Sequence, residues 1–220
     1  MDSALTVPGA DFAQRVKPIV IGFDAVMFRT HSMNRGPVFY GKSRGNRFDA
    51  PDGSYGVFYA GADPFCAFIE TFARAAGSPV VTTTELKKKA LSELKAARTL
   101  RLVDLTQSGA LLRIGADARL FSGVHRIAQL FSKALHEHPC EADGILYPSR
   151  LDHLRHSIVL FEDRAPKLIE LNRQSWYAPG PLRMTLAQIM DHYNLELIEN
   201  RFVPRRKPAA RVVQDEFWDG

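Results

Sequence analysis

Hydrophobic and polar positions along the chain alternate between two periods, and the change of period marks where strands give way to helices. The run Tyr55 to Ala60 is aromatic and β-branched, is bounded by Asp52-Gly53 and Gly61, and predicts a strand. Directly after it, Asp63 reads as an N-cap, Pro64 as the first helical residue and Gly77 as the residue past the end. Within that helix Phe65, Phe68, Ile69, Phe72, Ala73 and Ala76 recur at three- and four-residue spacing and form one apolar face. Glu70 falls just outside the stripe, beside Cys66, where a carboxylate can line a cleft while its helix is pinned to the core.

The same reading runs through the rest of the chain. Val26 to Arg29, Pro79 to Thr83, Leu100 to Leu105, Gly144 to Tyr147, Ser157 to Phe161, Lys167 to Asn172 and Leu195 to Ile198 predict strands. Helices are predicted over Glu85 to Arg98, with Leu86, Ala90, Leu94 and Ala97 inward, over Val124 to His136, and over Leu182 to His192. Strands and helices interleave without a regular βαβ rhythm and without a Gly-x-Gly-x-x-Gly turn. This pattern predicts a mixed α/β (α+β) fold with a split central β-sheet flanked by helices.

A chain of 220 residues is long enough to bury a full core. Its organisation reads as an N-terminal extension over 1–25, a compact core over 26–165 and a C-terminal extension over 166–220 that packs on the core. From Arg201 to Arg211 five basic residues, two prolines and no acid predict an extended basic tail. At 45% hydrophobic and 24% charged the composition is that of a soluble protein. No apolar run approaches the roughly 20 residues that cross a bilayer, and Met1 to Ala10 lacks the basic start and apolar run of a signal peptide, so a cytoplasmic location is expected. Two cysteines, Cys66 and Cys140, do not make a disulfide framework.

The net charge of +5 matters through its placement. Arg29, Arg35, Lys42, Arg44 and Arg47 lie between Asp24 and Asp49 with no acid among them, which suits either a solvated basic loop or an anionic ligand such as a pyrophosphate. Within it, Gly36 to Ser43 matches the phosphate-binding P-loop pattern. A P-loop needs a preceding strand, small intervening residues and a helix starting at its lysine. Here Pro37, Val38, Phe39 and Tyr40 intervene and Arg44-Gly45-Asn46-Arg47 follows, so the match is read as chance. His136, His138 and Cys140 invite a metal, but no fourth ligand accompanies them at a recognisable spacing, and they read as surface residues.

Five pieces, in order, carry a family resemblance: Met27-Phe28-Arg29-Thr30, Gly45-Asn46-Arg47-Phe48, Val57-Phe58-Tyr59-Ala60-Gly61, Ala67-Phe68-Ile69-Glu70 and Asp143-Gly144-Ile145-Leu146-Tyr147-Pro148-Ser149-Arg150. Together they resemble the RES domain family, named for its Arg, Glu and Ser. The resemblance implies a fold like that of ADP-ribosyltransferases and NAD as a consumed substrate, with no cofactor and no metal. It also implies a toxin held in check by a helix-turn-helix antitoxin. On that pattern Arg29 and Arg47 bind the phosphates, Tyr59 packs on nicotinamide, Glu70 stabilises the ribosyl cation, and Ser149 completes the pocket by hydrogen bonding. Arg29, Glu70 and Ser149 are then the expected catalytic set. The acceptor stays open among water, inorganic phosphate and a protein side chain, giving NAD degradation first and protein ADP-ribosylation second. A non-catalytic NAD- or partner-binding module and a P-loop nucleotidase are the remaining alternatives.

Overall fold

The computed structural model describes residues 7–73 and 80–199. The elements run α1 (Phe12–Arg15), β1 (Val20–Phe23), β2 (Met27–Ser32), β3 (Val57–Gly61), α2 (Pro64–Phe72), β4 (Val80–Thr82), α3 (Thr83–Lys87), β5 (Lys89–Ala96), β6 (Leu100–Asp104) and α4 (Ala110–Arg113). They continue with α5 (Arg119–Ser122), α6 (His125–His136), β7 (Gly144–Pro148), β8 (His156–Phe161), β9 (Leu168–Ser175), α7 (Leu182–His192) and β10 (Glu196–Ile198). Eight strands form one mixed sheet in the order β1-β6-β7-β8-β3-β2-β5-β9, and β10 pairs with β4 in a small second sheet. Only β6 and β7 run parallel within the large sheet.

The large sheet has a seam. β3 pairs with β8 over five residues and β2 pairs with β5 over six, but β2 meets β3 only at Phe28 and Gly61. Two well-zipped halves therefore share a single rung, and this is the split in the sheet. One face of the sheet is clad by helices: α6 and its neighbours cover the half containing β6, β7, β8 and β3, while α2, α3 and α7 cover the half containing β2 and β5. The other face buries Met27, Phe58, Leu94, Leu100, Leu102, Ile158 and Leu160 completely, and among the described residues no helical one belongs to that cluster. Side chains of β2, β5 and β9 from one half and of β3, β6, β7 and β8 from the other meet in this cluster, so the two halves bury one another here. Each of these side chains contributes roughly 1.5–3 kcal/mol by leaving water.

α2 bridges the seam. Its N-cap Asp63 accepts a 2.9 Å hydrogen bond from the Cys66 amide, and Pro64 opens the first turn. Phe68 and Ile69 pack in the cluster that holds Phe28 of β2. Gly61 of β3 lies so close that an added Cβ would come within 2.7 Å of the Ala67 nitrogen, which is why glycine stands there.

One predicted helix is a strand. Glu85 to Arg98 splits into the short α3, closed by a capping box between Thr82 and Glu85, and the eight-residue strand β5. Leu86, Ala90 and Leu94 do fit a helical period, but Ala90, Ser92, Leu94 and Ala96 also fit a period of two. Pairing with β2 on one side and β9 on the other decides for the strand. The predicted helix after Asp63 ends at Phe72, and Gly77, Pro79 and the basic tail over 201–211 lie outside the described residues. No helix among the described residues is long and apolar enough to cross a membrane.

Candidate functional site

Glu70 emerges from the last turn of α2, immediately after the buried run Cys66, Ala67, Phe68 and Ile69. Ser149, fully buried, ends the strand segment that begins with β7, where its amide donates to the Arg155 carbonyl at 2.8 Å. The Ser149 hydroxyl donates to Glu70 Oε1 at 2.6 Å and accepts the Leu151 amide at 3.2 Å. Two residues separated by 79 positions thus form one short, charge-assisted hydrogen bond. The bond fixes the hydroxyl and the carboxylate relative to each other, with the Ser149 proton directed at Glu70.

Arg47 stands beside this pair. Its Nη1 donates to the carbonyls of Gly123 at 2.9 Å and Leu120 at 3.3 Å, at the end of α5. Burial lowers its pKa, with Tyr147, Arg150, Glu70 and Tyr59 as its charged and ionisable neighbours. The loop carrying Arg47 is pinned by three side chains of α6. Gln129 donates to the Arg44 and Asn46 carbonyls at 2.8 and 3.0 Å, and Ser132 donates to the Phe48 carbonyl at 2.7 Å. His125 Nδ1 lies 3.1 Å from the Gly45 carbonyl.

Tyr59 has a specific task in that loop. Its hydroxyl accepts the Phe48 amide and donates to Asp49 Oδ1, both at 3.0 Å. Asp49 is fully buried and also accepts from the Asn46 amide at 3.0 Å and from Ser43 Oγ at 3.1 Å. Burial first, then Tyr147 and Asp49, hold the Tyr59 phenol well above its ordinary pKa. Tyr147, packed edge-on to Phe48 at 4.7 Å, is likewise raised by burial and by Glu70.

Arg29 does not join them. Side chains alternate along a strand, and on β2 Phe28 packs toward α2 whereas Met27 and Arg29 point to the opposite face. There the guanidinium lies 4.5 Å over the Phe58 ring and donates to the Phe39 carbonyl at 3.3 Å. It makes no ion pair among the described residues, and burial pushes its pKa down to about 10. The structure therefore brings Glu70, Ser149, Arg47 and Tyr59 together and places Arg29 across the sheet, at the seam.

The residues missed by the sequence reading are Asp49, Gln129, Ser132 and Tyr147. Gln129 and Ser132 carried a signal: both sit in the buried stripe of α6 defined by Ala128, Phe131 and Leu135, where a polar side chain needs a partner. The other motifs disperse. Lys42 pairs with Glu162 at 3.0 Å and no helix starts at it, so Gly36 to Ser43 is not a P-loop. His136 pairs with Asp163, and His138 Nδ1 accepts the Cys140 amide at 3.1 Å. The groove along β9 lined by Arg173, Gln174 and Ser175 contains none of the site residues.

Comparison with known proteins identifies the class. The RES domain model matches residues 25–185, and the chain belongs to that family. It is 34% identical over 126 residues to Probable toxin y4kH of Sinorhizobium fredii, covering 56% of this chain and 93% of that one. Its fold is similar to a chain in the crystal structure of the M. tuberculosis MbcT-MbcA toxin-antitoxin complex, with a TM-score of 0.57 and 16% identity over 74% of this chain and 93% of that chain.

Proposed function

We propose that this protein degrades NAD by cleaving the bond between nicotinamide and ribose, and that it is the toxin of a toxin-antitoxin pair. The observation that carries the chemistry is the 2.6 Å bond by which buried Ser149 fixes the Glu70 carboxylate next to Arg47. Membership of the RES family and a relative named as a probable toxin support the biological role.

In NAD the nicotinamide nitrogen is already cationic, so when the bond to ribose C1′ breaks, the electron pair leaves with a neutral nicotinamide. No acid is needed. Positive charge develops on the ribose, and the site's task is to position the substrate and stabilise that charge. A carboxylate held by a hydroxyl meets the second requirement without reorganising. Water then adds through oxygen at C1′ and loses a proton, or phosphate adds through one of its anionic oxygens. Arg47 suits the pyrophosphate through its forked donors. Arg29, with one long hydrogen bond and no ion pair among the described residues, has donors to offer as well, and β2 and β3 part just beyond Phe28, so a dinucleotide laid along that opening can reach it. Metal and cofactor are not invoked, since NAD is the substrate.

Incubating the purified protein with NAD, with and without inorganic phosphate, and analysing products by mass spectrometry tests this. Free ADP-ribose identifies water as acceptor, a phosphorylated ADP-ribose identifies phosphate, and label on a protein identifies a transferase. Glu70→Gln keeps shape but removes the charge, and turnover should fall about 10²-fold, or about 2.7 kcal/mol. NAD that is bound but left intact by the wild type would reduce the protein to a binding module. The toxin role predicts growth arrest on expression, relieved by co-expressing an antitoxin, for which the resemblance suggests a helix-turn-helix protein.

A further inference from the structure

The loop that carries Ser149 is tied to α2 at a second point, and the tie is anchored by the end of α7, beyond residue 185 where the family match stops. Arg155 closes this loop: its carbonyl accepts the Ser149 amide at 2.8 Å, and its own amide donates to the Asp152 carbonyl at 2.9 Å. The Arg155 guanidinium crosses to α2, where it donates to Asp63 Oδ2 at 3.3 Å and lies 4.4 Å over the Phe65 ring. Asp63 is the N-cap of the helix that bears Glu70, and its other oxygen holds the Cys66 amide. Asp152 Oδ2 is 3.7 Å from Arg155 Nε and accepts the Tyr193 hydroxyl at 2.7 Å, while its Oδ1 accepts the Leu154 amide at 3.0 Å. Tyr193 also packs edge-on to Phe65, 6.3 Å between ring centres.

We propose that Tyr193, Asp152 and Arg155 form a latch that positions Ser149 against Glu70, so that the segment at the end of α7 acts on the reaction through that one hydrogen bond. The claim about turnover rests on the NAD-cleaving reading above; the claim about the loop does not. Arg155 is a positioning residue, because it meets the loop and the α2 N-cap rather than the Glu70 carboxylate. A loop joined to a helix at one point can pivot about it. Joined at both Ser149–Glu70 and Arg155–Asp63, it has a fixed orientation, and a reacting group displaced by about 1 Å can lose 10²-fold in rate.

Tyr193→Phe removes one hydroxyl and keeps the ring, and Arg155→Lys keeps the charge but loses the planar fork that stacks on Phe65. Hydrogen exchange of the full-length protein should show faster exchange over residues 149–155 in both variants, with α6 unchanged. NAD cleavage should show kcat lowered by about 5- to 30-fold with KM within about twofold of wild type. In a Glu70→Gln background the same substitutions should cost little more, since the group they position has already lost its charge. Unchanged exchange over 149–155 would overturn the latch even if the wild type proves inactive on NAD. Faster exchange with full kcat, or a kcat loss that multiplies undiminished onto that of Glu70→Gln, would overturn its link to Glu70. A wild type that leaves NAD intact would refute the enzymatic reading, with the exchange result still deciding for or against the latch.

Discussion

Replacing Tyr59 with Phe separates two roles for this side chain. If the ring serves only to pack on nicotinamide, the variant should be nearly silent, because the ring is kept. The structure gives the hydroxyl its own work: it accepts the Phe48 amide and donates to Asp49, each at 3.0 Å, in a fully buried setting around Asp49. Losing a hydrogen bond to a charged acceptor costs about 1.5–3 kcal/mol, and orphaning the Phe48 amide adds about 1–3 kcal/mol. The loop has one side toward solvent and can relax, so the lower end, about 2.5 kcal/mol, is expected. For a chain of this size each kcal/mol shifts Tm by about 2–4 °C, which gives a drop of about 5–10 °C. Arg47 is bonded to Phe48 along the chain, so KM for NAD should rise as well. Thermal unfolding followed by circular dichroism measures the first effect and initial rates the second. A Tm within about 2 °C of wild type would refute the structural role of the hydroxyl.

Ser149→Ala should lower kcat by about 10- to 150-fold, the equivalent of one charge-assisted bond of about 1.5–3 kcal/mol, with binding of NAD by calorimetry largely retained. Lys42→Ala should leave NAD turnover and Tm close to wild type, because the lysine makes an exposed pair with Glu162 worth at most about 1 kcal/mol; abolished ATP hydrolysis in this variant would revive the P-loop reading. Burial pushes the Cys66 thiol up to about 12, so it remains protonated far above neutral pH. At pH 8 its thiolate fraction is therefore about 10⁻⁴, and peptide mapping after brief iodoacetamide treatment of the native protein should find Cys66 unmodified.

Much of this architecture was legible where the local pattern and the tertiary contacts agree. The Asp63-Pro64 start of α2, the stripe of α6 and the strand ending before Ser149 follow directly from capping, periodicity and turn chemistry. The segment from Glu85 to Arg98 was not legible, because its leucines and alanines satisfy both periods and only the flanking strands break the tie. Arg29 shows a second limit. Its place in the chain fits the family pattern, but which face of β2 it takes depends on register, and one residue of difference moves a side chain across the sheet. The short contact between Ser149 and Glu70 could be expected from the resemblance alone, since no local signal links positions so far apart.

Two things hold the two slabs of the sheet together across the seam: the apolar cluster they share and, along the strand ladder, a single rung. Because β2 and β3 share only the Phe28–Gly61 pair, a load applied across the strands meets its least resistance there, and what spans the gap is α2, lying against Phe28 on one slab and Gly61 on the other. The helix that presents Glu70 is thus also a splint. On the reading proposed above, a dinucleotide that straddles the gap would act as a second splint, so filling the cleft would also stiffen the sheet along its seam.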